Sequence, residues 1–426
     1  MSTLSRREQT LGPYSPLFYD EPLEFVSATG VWLTDVGGER YLDGYNNVPH
    51  VGHTHPRVVE AIRDQASRLN IHTRYLNDRV VEYAERLLTT FGAGLDRVMF
   101  TNSGSESNDL ALRVASQHSG AHGILISDFS YHGHTQALAQ LTTGLRTHEG
   151  LGTHVRTIRV PDLDGADRGL DPADVLSTAL TEVDAAIASL RDSGHGVATW
   201  LFDPLFSTEG LNRLPPGYVG EVARRVRAAG GLVIADEVQS GFGRTGVRFW
   251  GHQLHDLSPD LVTMGKPMGN GHPLGGVVLP AALLDEFGPR NMYFNTFGGN
   301  PVSSAAGLAV LDVLHDEDLV SRAQVTGEGL RAQLDALAER YGFIGTSRGS
   351  GLFTGFSVAD GTGPDARPDA QRTKRLVEAV KRDRILISRI GRDDSVLKIR
   401  PPMPFGPDET SILIGALDRA LSAEDR

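Results

Sequence analysis

The stretch from Gly231 to Pro273 constrains this chain more than any other. It opens on an apolar run, Leu232 to Ala235, with the length and β-branched content of a buried parallel strand, and it ends on the carboxylate Asp236. A second apolar run, Leu261 to Met264, leads into a lone lysine, Lys266, flanked by Gly265, Pro267 and Gly269. One strand end thus offers an acid and the other an amine. In an open α/β sheet the groups at the carboxyl ends of strands line the ligand crevice, so these two side chains are placed to face one small molecule. An amine held in a dry, glycine-walled site suits Schiff-base chemistry, and a buried carboxylate suits keeping a pyridinium nitrogen protonated. That pairing is what pyridoxal phosphate requires. The same stretch carries a decoy. Gly241-Phe-Gly243-Arg-Thr-Gly246 matches the G-x-G-x-x-G of dinucleotide folds, but Val247-Arg-Phe-Trp250 follows where that fingerprint needs a helix, which argues against a dehydrogenase.

The segments on either side repeat the strand-then-helix grammar. Strands are expected at Arg97–Phe100, Gly123–Ser127, Val155–Val160, Val197–Phe202 and Gly276–Leu279, with helices at Glu106–Gln117, Thr135–Leu141, Pro172–Leu190 and Tyr218–Ala229. Such alternation predicts an α/β fold built on a large, doubly wound, mostly parallel sheet. From about Asn300 the pattern changes to a long apolar helix (Ser303–Leu314), an amphipathic helix (Ala323–Tyr341), a strand (Gly351–Val358), a helix (Gln371–Arg382), a strand (Val396–Ile399) and a last helix (Pro407–Leu421). This is expected to be a smaller α+β domain. Near the N-terminus, Val31–Asp35, Gly37-Gly38 and Tyr41–Asp43 predict a small hairpin outside the main sheet. The expected division is residues 1–55 as the N-terminal part of the small domain, 56–302 as the large domain and 303–426 as the C-terminal part of the small one. Ala359–Arg367, rich in Gly, Pro and Asp, is expected to be an exposed loop.

Composition narrows the partners. A net charge of −12, with no basic run beyond Ser5-Arg6-Arg7, argues against nucleic acid or an anionic membrane surface. The absence of cysteine excludes disulfides, thiolate chemistry and Cys-ligated metal, and suits a cytoplasmic protein. No stretch approaches 18 apolar residues, and the N-terminal MSTLSRREQTLGPYSPLFYD lacks an apolar core long enough for a signal peptide. His50, His53 and His55 lie close together but not in a helical H-x-x-x-H frame beside an acid, so turn or structural roles are expected for them and no metal site.

Any anionic ligand must then be held by local groups. The turn Thr101-Asn-Ser-Gly-Ser-Glu-Ser107 joins a strand to a helix: Gly104 permits close backbone approach, Ser105 offers a hydroxyl, and the free N–H groups of a helix start favour a phosphate. Taken alone, the turn reads first as a plain serine N-cap with a glutamate downstream. Tyr131-His132-Gly133 follows the next strand and offers an aromatic to stack on a flat heterocycle, while Asn295-Thr-Phe-Gly-Gly-Asn300 presents Thr296 in a tight loop as a further phosphate ligand.

With phosphate turn, aromatic, Asp, Lys and second hydroxyl turn in this order, the chain resembles the class III aminotransferases, the fold-type-I group of pyridoxal phosphate enzymes. The resemblance covers nearly the whole length and rests on SGSESND at 103–109, YHG at 131–133, ADEVQSGFGRTG at 235–246, GKPMGNG at 265–271 and NTFGGNP at 295–301. It implies that Lys266 carries the cofactor covalently, that Asp236 holds the pyridine nitrogen and that Gln239 bonds the ring hydroxyl. It also implies that Val238 packs on the ring face opposite Tyr131 or His132. Gly104 and Ser105 would bind the phosphate together with Thr296, which in this family arrives from the other subunit, so a homodimer with shared sites follows.

Within that family, Asn46-Asn-Val-Pro-His-Val-Gly-His, Val262–His272 and Leu397-Lys-Ile-Arg-Pro-Pro-Met403 are most similar to the branch of ethanolamine-phosphate and phosphohydroxylysine phospholyases. That branch would remove phosphate from a small phosphorylated amine, O-phosphoethanolamine above all. The alternative is an ω-transaminase that passes an amino group to a keto acid such as pyruvate. A phospholyase needs a second anion pocket, for which Arg400 and Arg74 are the candidates because a guanidinium fork matches phosphate, with Asn46, Asn47 and Tyr19 as further contributors. Arg400 also matches the arginine that many class III transaminases use for a carboxylate. Those enzymes neutralise it with a glutamate in an E-P-x-Q-G-E segment. Here the segment runs Asp203-Pro-Leu-Phe-Ser-Thr-Glu209, with Thr208 at the glutamate position, Glu209 one residue away and Phe206 for the usual glutamine, which leaves the role of Asp203 open.

Overall fold

The structure is a computed structural model that describes residues 1–361 and 366–425. Its centre is a sheet of seven strands in the order Arg97–Thr101, Gly275–Leu279, Leu261–Met264, Leu232–Asp236, Thr199–Phe202, Ile124–Ser127, Val155–Ile158. Gly275–Leu279 runs antiparallel to both its neighbours and every other neighbouring pair is parallel. The central strands Leu232–Asp236, Leu261–Met264 and Thr199–Phe202 are buried along their whole length, which is why each is a continuous apolar run rather than an alternating one. Helices Gly104–Ser119, Pro172–Asp192 and Tyr218–Ala228 cover the sheet. The expected doubly wound, mostly parallel architecture is the one present.

Local chemistry sets the boundaries. Ser103 caps the helix Gly104–Ser119 by accepting from Glu106 N at 3.2 Å, and Gly120 closes it in the left-handed region at φ 65°. Asp171 caps the helix that starts at Pro172. The helix Pro301–Asp316 is buried on nearly every face because it lies between the Pro56–Ala66 and Asp78–Leu88 helices and the Leu319–Arg340 helix.

Outside the main sheet the structure has more short strands than the sequence pattern predicts. The N-terminal hairpin Trp32–Asp35 and Arg40–Asp43 gains Phe25–Thr29 on one edge and Ile385–Leu386, from the far end of the chain, in parallel on the other. The stretch expected as one strand at Gly351–Val358 is a hairpin, Arg348–Ser350 with Phe353–Ser357, turned at Gly351 with φ 53°. Phe353–Ser357 then pairs with Val396–Ile399, whose other edge takes Ser388–Ile390. The expected loop at Ala359–Arg367 is partly a ladder, since Ala359–Asp360 pairs with Arg367–Pro368; residues 362–365 of it lie outside the described residues. No helix among the described residues is long and apolar enough to cross a membrane.

Candidate active site

The cleft opens where the carboxyl ends of the central strands meet the start of the Gly104–Ser119 helix. Its walls include Gly104, Ser105, Tyr131, His132, Asp203, Asp236, Val238, Gln239 and Lys266, drawn from five separate stretches of sequence. The strand–helix turn and the lysine turn are pressed together by their glycines. A Cβ on Gly104 would lie 2.7 Å from Val238 Cγ2, and one on Gly265 would lie 2.8 Å from Gly104 N. The helix start therefore points its free N–H groups at the same space as Lys266.

Asp236 ends its strand with three donors around its carboxylate, two on Oδ2 and one on Oδ1, which leaves acceptor capacity on Oδ1. Its Oδ2 accepts from Asn108 Nδ2 at 2.8 Å and is 2.7 Å from His132 Nδ1, while Oδ1 accepts from Val238 N at 3.1 Å. An ionised Asp236 requires the imidazole proton on Nδ1. Asn108 is itself fixed, donating to His132 O at 2.7 Å and accepting from Thr263 Oγ1 at 2.6 Å. His132 thus sits behind the carboxylate as its partner, and Tyr131, half-buried, is the aromatic left at the cleft surface. Asn108 was not foreseen. It lies one helical turn beyond Gly104, a spacing that puts both on one face of the helix.

The Lys266 side chain opens into the cleft. Its protein surroundings pull the amine below the ordinary lysine value, Arg400 adds to that pull, and Asp236 and Asp203 oppose it. A larger fraction of neutral amine is available as nucleophile and base.

From Arg400 a chain of donors runs back to a second acid. Arg400 Nη1 donates to Gln239 Oε1, Gln239 Nε2 donates to Ser207 Oγ at 2.5 Å, and Ser207 Oγ donates to Asp203 Oδ2. Asp203 also accepts from Leu205 N at 2.9 Å, and burial raises its pKa. Glu209 does not restore a carboxylate gate on Arg400: Ser127 Oγ donates to it instead, and burial pushes its acid up to about 8. Arg400 is 3% exposed, holds Tyr45 O at 3.4 Å and lies 5.3 Å from the Tyr45 ring and 5.2 Å from the Phe353 ring.

Other expected residues stand apart from this cleft within one chain. Thr296 and Arg74 are exposed, and Arg74 stacks over the ring of Phe294, 3.8 Å from its centroid. Asn46 turns its amide to Asp43 at 3.1 Å, and Tyr19 donates to Ile387 O at 3.0 Å. Asn47 is buried just before Val48, which does line the cleft. The three N-terminal histidines all have structural partners: His50 between Phe242 O and Arg244, His53 on Asp43 and His55 on Glu317. The glycine-rich decoy wraps the fully buried Arg244, which donates to Leu352 O and Pro401 O and ties the main sheet to the second one.

An amine, an oriented carboxylate and a helix start converging on one cleft define an enzyme of the fold-type-I pyridoxal phosphate class, and the donor set fits that cofactor: a lysine amine, a carboxylate for the ring nitrogen and a helix start for the phosphate. The profile described as "Aminotransferase class-III" matches residues 19–421. "Ethanolamine-phosphate phospho-lyase homolog 1" of Caenorhabditis elegans is 36% identical over 439 residues, spanning 99% of this chain and 94% of that one. "Alanine--glyoxylate aminotransferase 2-like" of Drosophila melanogaster is also 36% identical, over 430 residues that span 99% and 87% of the two chains. Among solved structures, a phospholyase from Arthrobacter in complex with phosphoethanolamine is 57% identical, covers 99% of this chain and 100% of its own, and superposes with a TM-score of 0.97. The chain belongs to the class III aminotransferase family and its cofactor is pyridoxal phosphate.

Proposed function

We propose that the protein is a phospholyase that releases phosphate from a small phosphorylated amine, O-phosphoethanolamine first among them. The observation that carries this reading is the state of Arg400. A transaminase alternates between substrates with and without a second anionic group and benefits from a carboxylate that covers the arginine in between. Here Thr208 occupies that position, Glu209 is turned to Ser127, and among the described residues the hydrogen-bond acceptors of Arg400 are the neutral Gln239 and a backbone carbonyl. An arginine left in this way suits an enzyme whose substrate always brings an anion. The 57% identical phospholyase solved with phosphoethanolamine supports the same reading.

Bound pyridoxal phosphate supplies the electron sink that acidifies the C–H next to the substrate nitrogen. Asp236, held by His132 and Asn108, would keep the ring nitrogen protonated, and Gln239, whose amide is shared between Arg400 and Ser207, would be the partner of the ring hydroxyl. Gly104 and Ser105 would hold the cofactor phosphate. Val238 and Tyr131 would flank the ring. Lys266 takes the proton from the carbon bearing nitrogen. The C–O bond on the adjacent carbon breaks and its electron pair leaves with phosphate held by Arg400. The remaining enamine takes up a proton and water and yields acetaldehyde and ammonia, so no amino acceptor is consumed.

The site is completed in a homodimer. Thr296 and Arg74 are exposed, as are the neighbouring Tyr75, Leu76, Met292 and Phe297, and Arg74 joins the two segments by resting on Phe294, which supports burial of this face against a second copy. There Thr296 would reach the partner's cofactor phosphate and Arg74 the partner's substrate.

The test is incubation of the cofactor-loaded protein with O-phosphoethanolamine and no keto acid, assaying inorganic phosphate and acetaldehyde together. Equal release over many turnovers is expected. Absence of release, with amine transfer to pyruvate in a parallel assay, would return the protein to the transaminases and make Arg400 a carboxylate site.

A further inference from the structure

Lys398 plays no part in the account above, yet its position is unusual. It is two residues from Arg400, with one on the Val396–Ile399 strand and the other just past its end, so both project from the same face. It is only 7% exposed, and its Nζ lies 5.5 Å from the centroids of the Tyr45 and Phe353 rings, the same two rings that flank the Arg400 guanidinium. Among the described residues neither cation forms a salt bridge with a carboxylate, and the Arg400 guanidinium donates to the neutral Gln239 Oε1 and to Tyr45 O. Lysine is rarely buried unless paired, and two buried cations side by side repel. Burial, followed by the charges of Arg400 and Lys266, draws the Lys398 amine well below its ordinary value, and Asp203 opposes this.

Ring faces offset part of that cost by cation–π attraction, but they do not explain why two cations share them. A bound anion does. A carboxylate carries one charge and is matched by Arg400 alone. A phosphate monoester carries roughly −1.5 to −2 at neutral pH and presents three acceptor oxygens. We infer that Lys398 is the second cation of the substrate pocket and that it sets the preference for a phosphate ester over a carboxylate. This inference rests on the phospholyase reading.

The experiment compares two amines of equal chain length on the holoenzyme: 2-aminoethylphosphonate, whose C–P bond cannot be eliminated as phosphate, and β-alanine. Binding of each is followed through the cofactor absorbance for the wild type and for Lys398→Met, Lys398→Gln and Lys398→Arg. With the second cation gone, Lys398→Met and Lys398→Gln should bind the phosphonate at least about 30-fold more weakly and β-alanine within about threefold of wild type. Lys398→Arg should recover most of the phosphonate affinity. Equal losses for both ligands, or no loss for either, would overturn the assignment. Thermal melting identifies any variant that fails to fold, and the remaining neutral variant then decides. If the wild type itself favours β-alanine and releases no phosphate from O-phosphoethanolamine, the phospholyase reading fails instead. A wild type that favours the phosphonate while the neutral variants behave like it removes Lys398 alone.

Discussion

At the Asp236 end of the cleft the polar groups are matched inside the fold, whereas at the Arg400 end they are not. Asp236 has His132, Asn108 and a backbone N–H around its two oxygens, and Asn108 in turn is fixed by Thr263. Arg400 and Lys398 share two aromatic rings, and the side-chain acceptor given to Arg400 is the neutral Gln239. The first arrangement is complete before any ligand arrives, as a group that must hold one orientation through every turnover requires. The second leaves positive charge without a carboxylate, which is the arrangement expected of a pocket that receives an anionic group. On the proposed function, the contrast separates the cofactor's half of the site from the substrate's half.

Substitutions can break or sharpen that contrast. The largest effect is expected at the amine between the two ends: Lys266→Ala should lower turnover by at least about 10⁴-fold and remove the absorbance of the covalently held cofactor. Retained turnover would sink the mechanism. Next, Asp236→Asn removes the charge that the matched end exists to present, and kcat should fall by about 10²- to 10³-fold with a smaller change in substrate KM. If KM moved and kcat did not, Asp236 would belong to the substrate's half. Arg400→Ala tests the other side: KM for O-phosphoethanolamine should rise by about 30-fold or more while cofactor affinity changes little. An unchanged KM would remove Arg400 from the anion pocket.

The smallest effect concerns Glu209, whose buried carboxyl accepts from Ser127 Oγ and contacts neither Asp236 nor Arg400 among the described residues. Its acid is raised by burial to about 8, so the folded state binds its proton more tightly than the unfolded chain does. That contribution to stability is complete below the ordinary glutamate value and is lost as pH climbs toward 8. Glu209→Gln, neutral at every pH, should therefore gain stability over wild type as pH rises from about 5 to about 8, by on the order of a few kcal/mol. A melting-temperature difference that stays flat across that range would show that Glu209 is ionised in the folded protein.

Much of this was visible without coordinates. The strands carrying Asp236 and Lys266 are buried on both faces, so their sequences are unbroken apolar runs that end where the chemistry begins. The phosphate turn and its serine cap are local features of a few residues and could be read directly. Two- and three-residue strands such as Ile385–Leu386 and Ser388–Ile390 could not, because so short a run shows no periodicity. Glu209 was within one residue of the gate position, and only its contact with Ser127 shows which way it turns.

The sequence by itself determined the apolar strands of the main sheet, because their pattern follows from burial, and its motifs carried the resemblance that implied the cofactor. The tertiary structure decided what the site residues lean on. Asn108 and His132 behind Asp236, the relay from Arg400 through Gln239 and Ser207 to Asp203, and Lys398 beside Arg400 all join segments far apart in the chain. Which side chains meet at such distances depends on how the two sheets pack, and no local pattern encodes it.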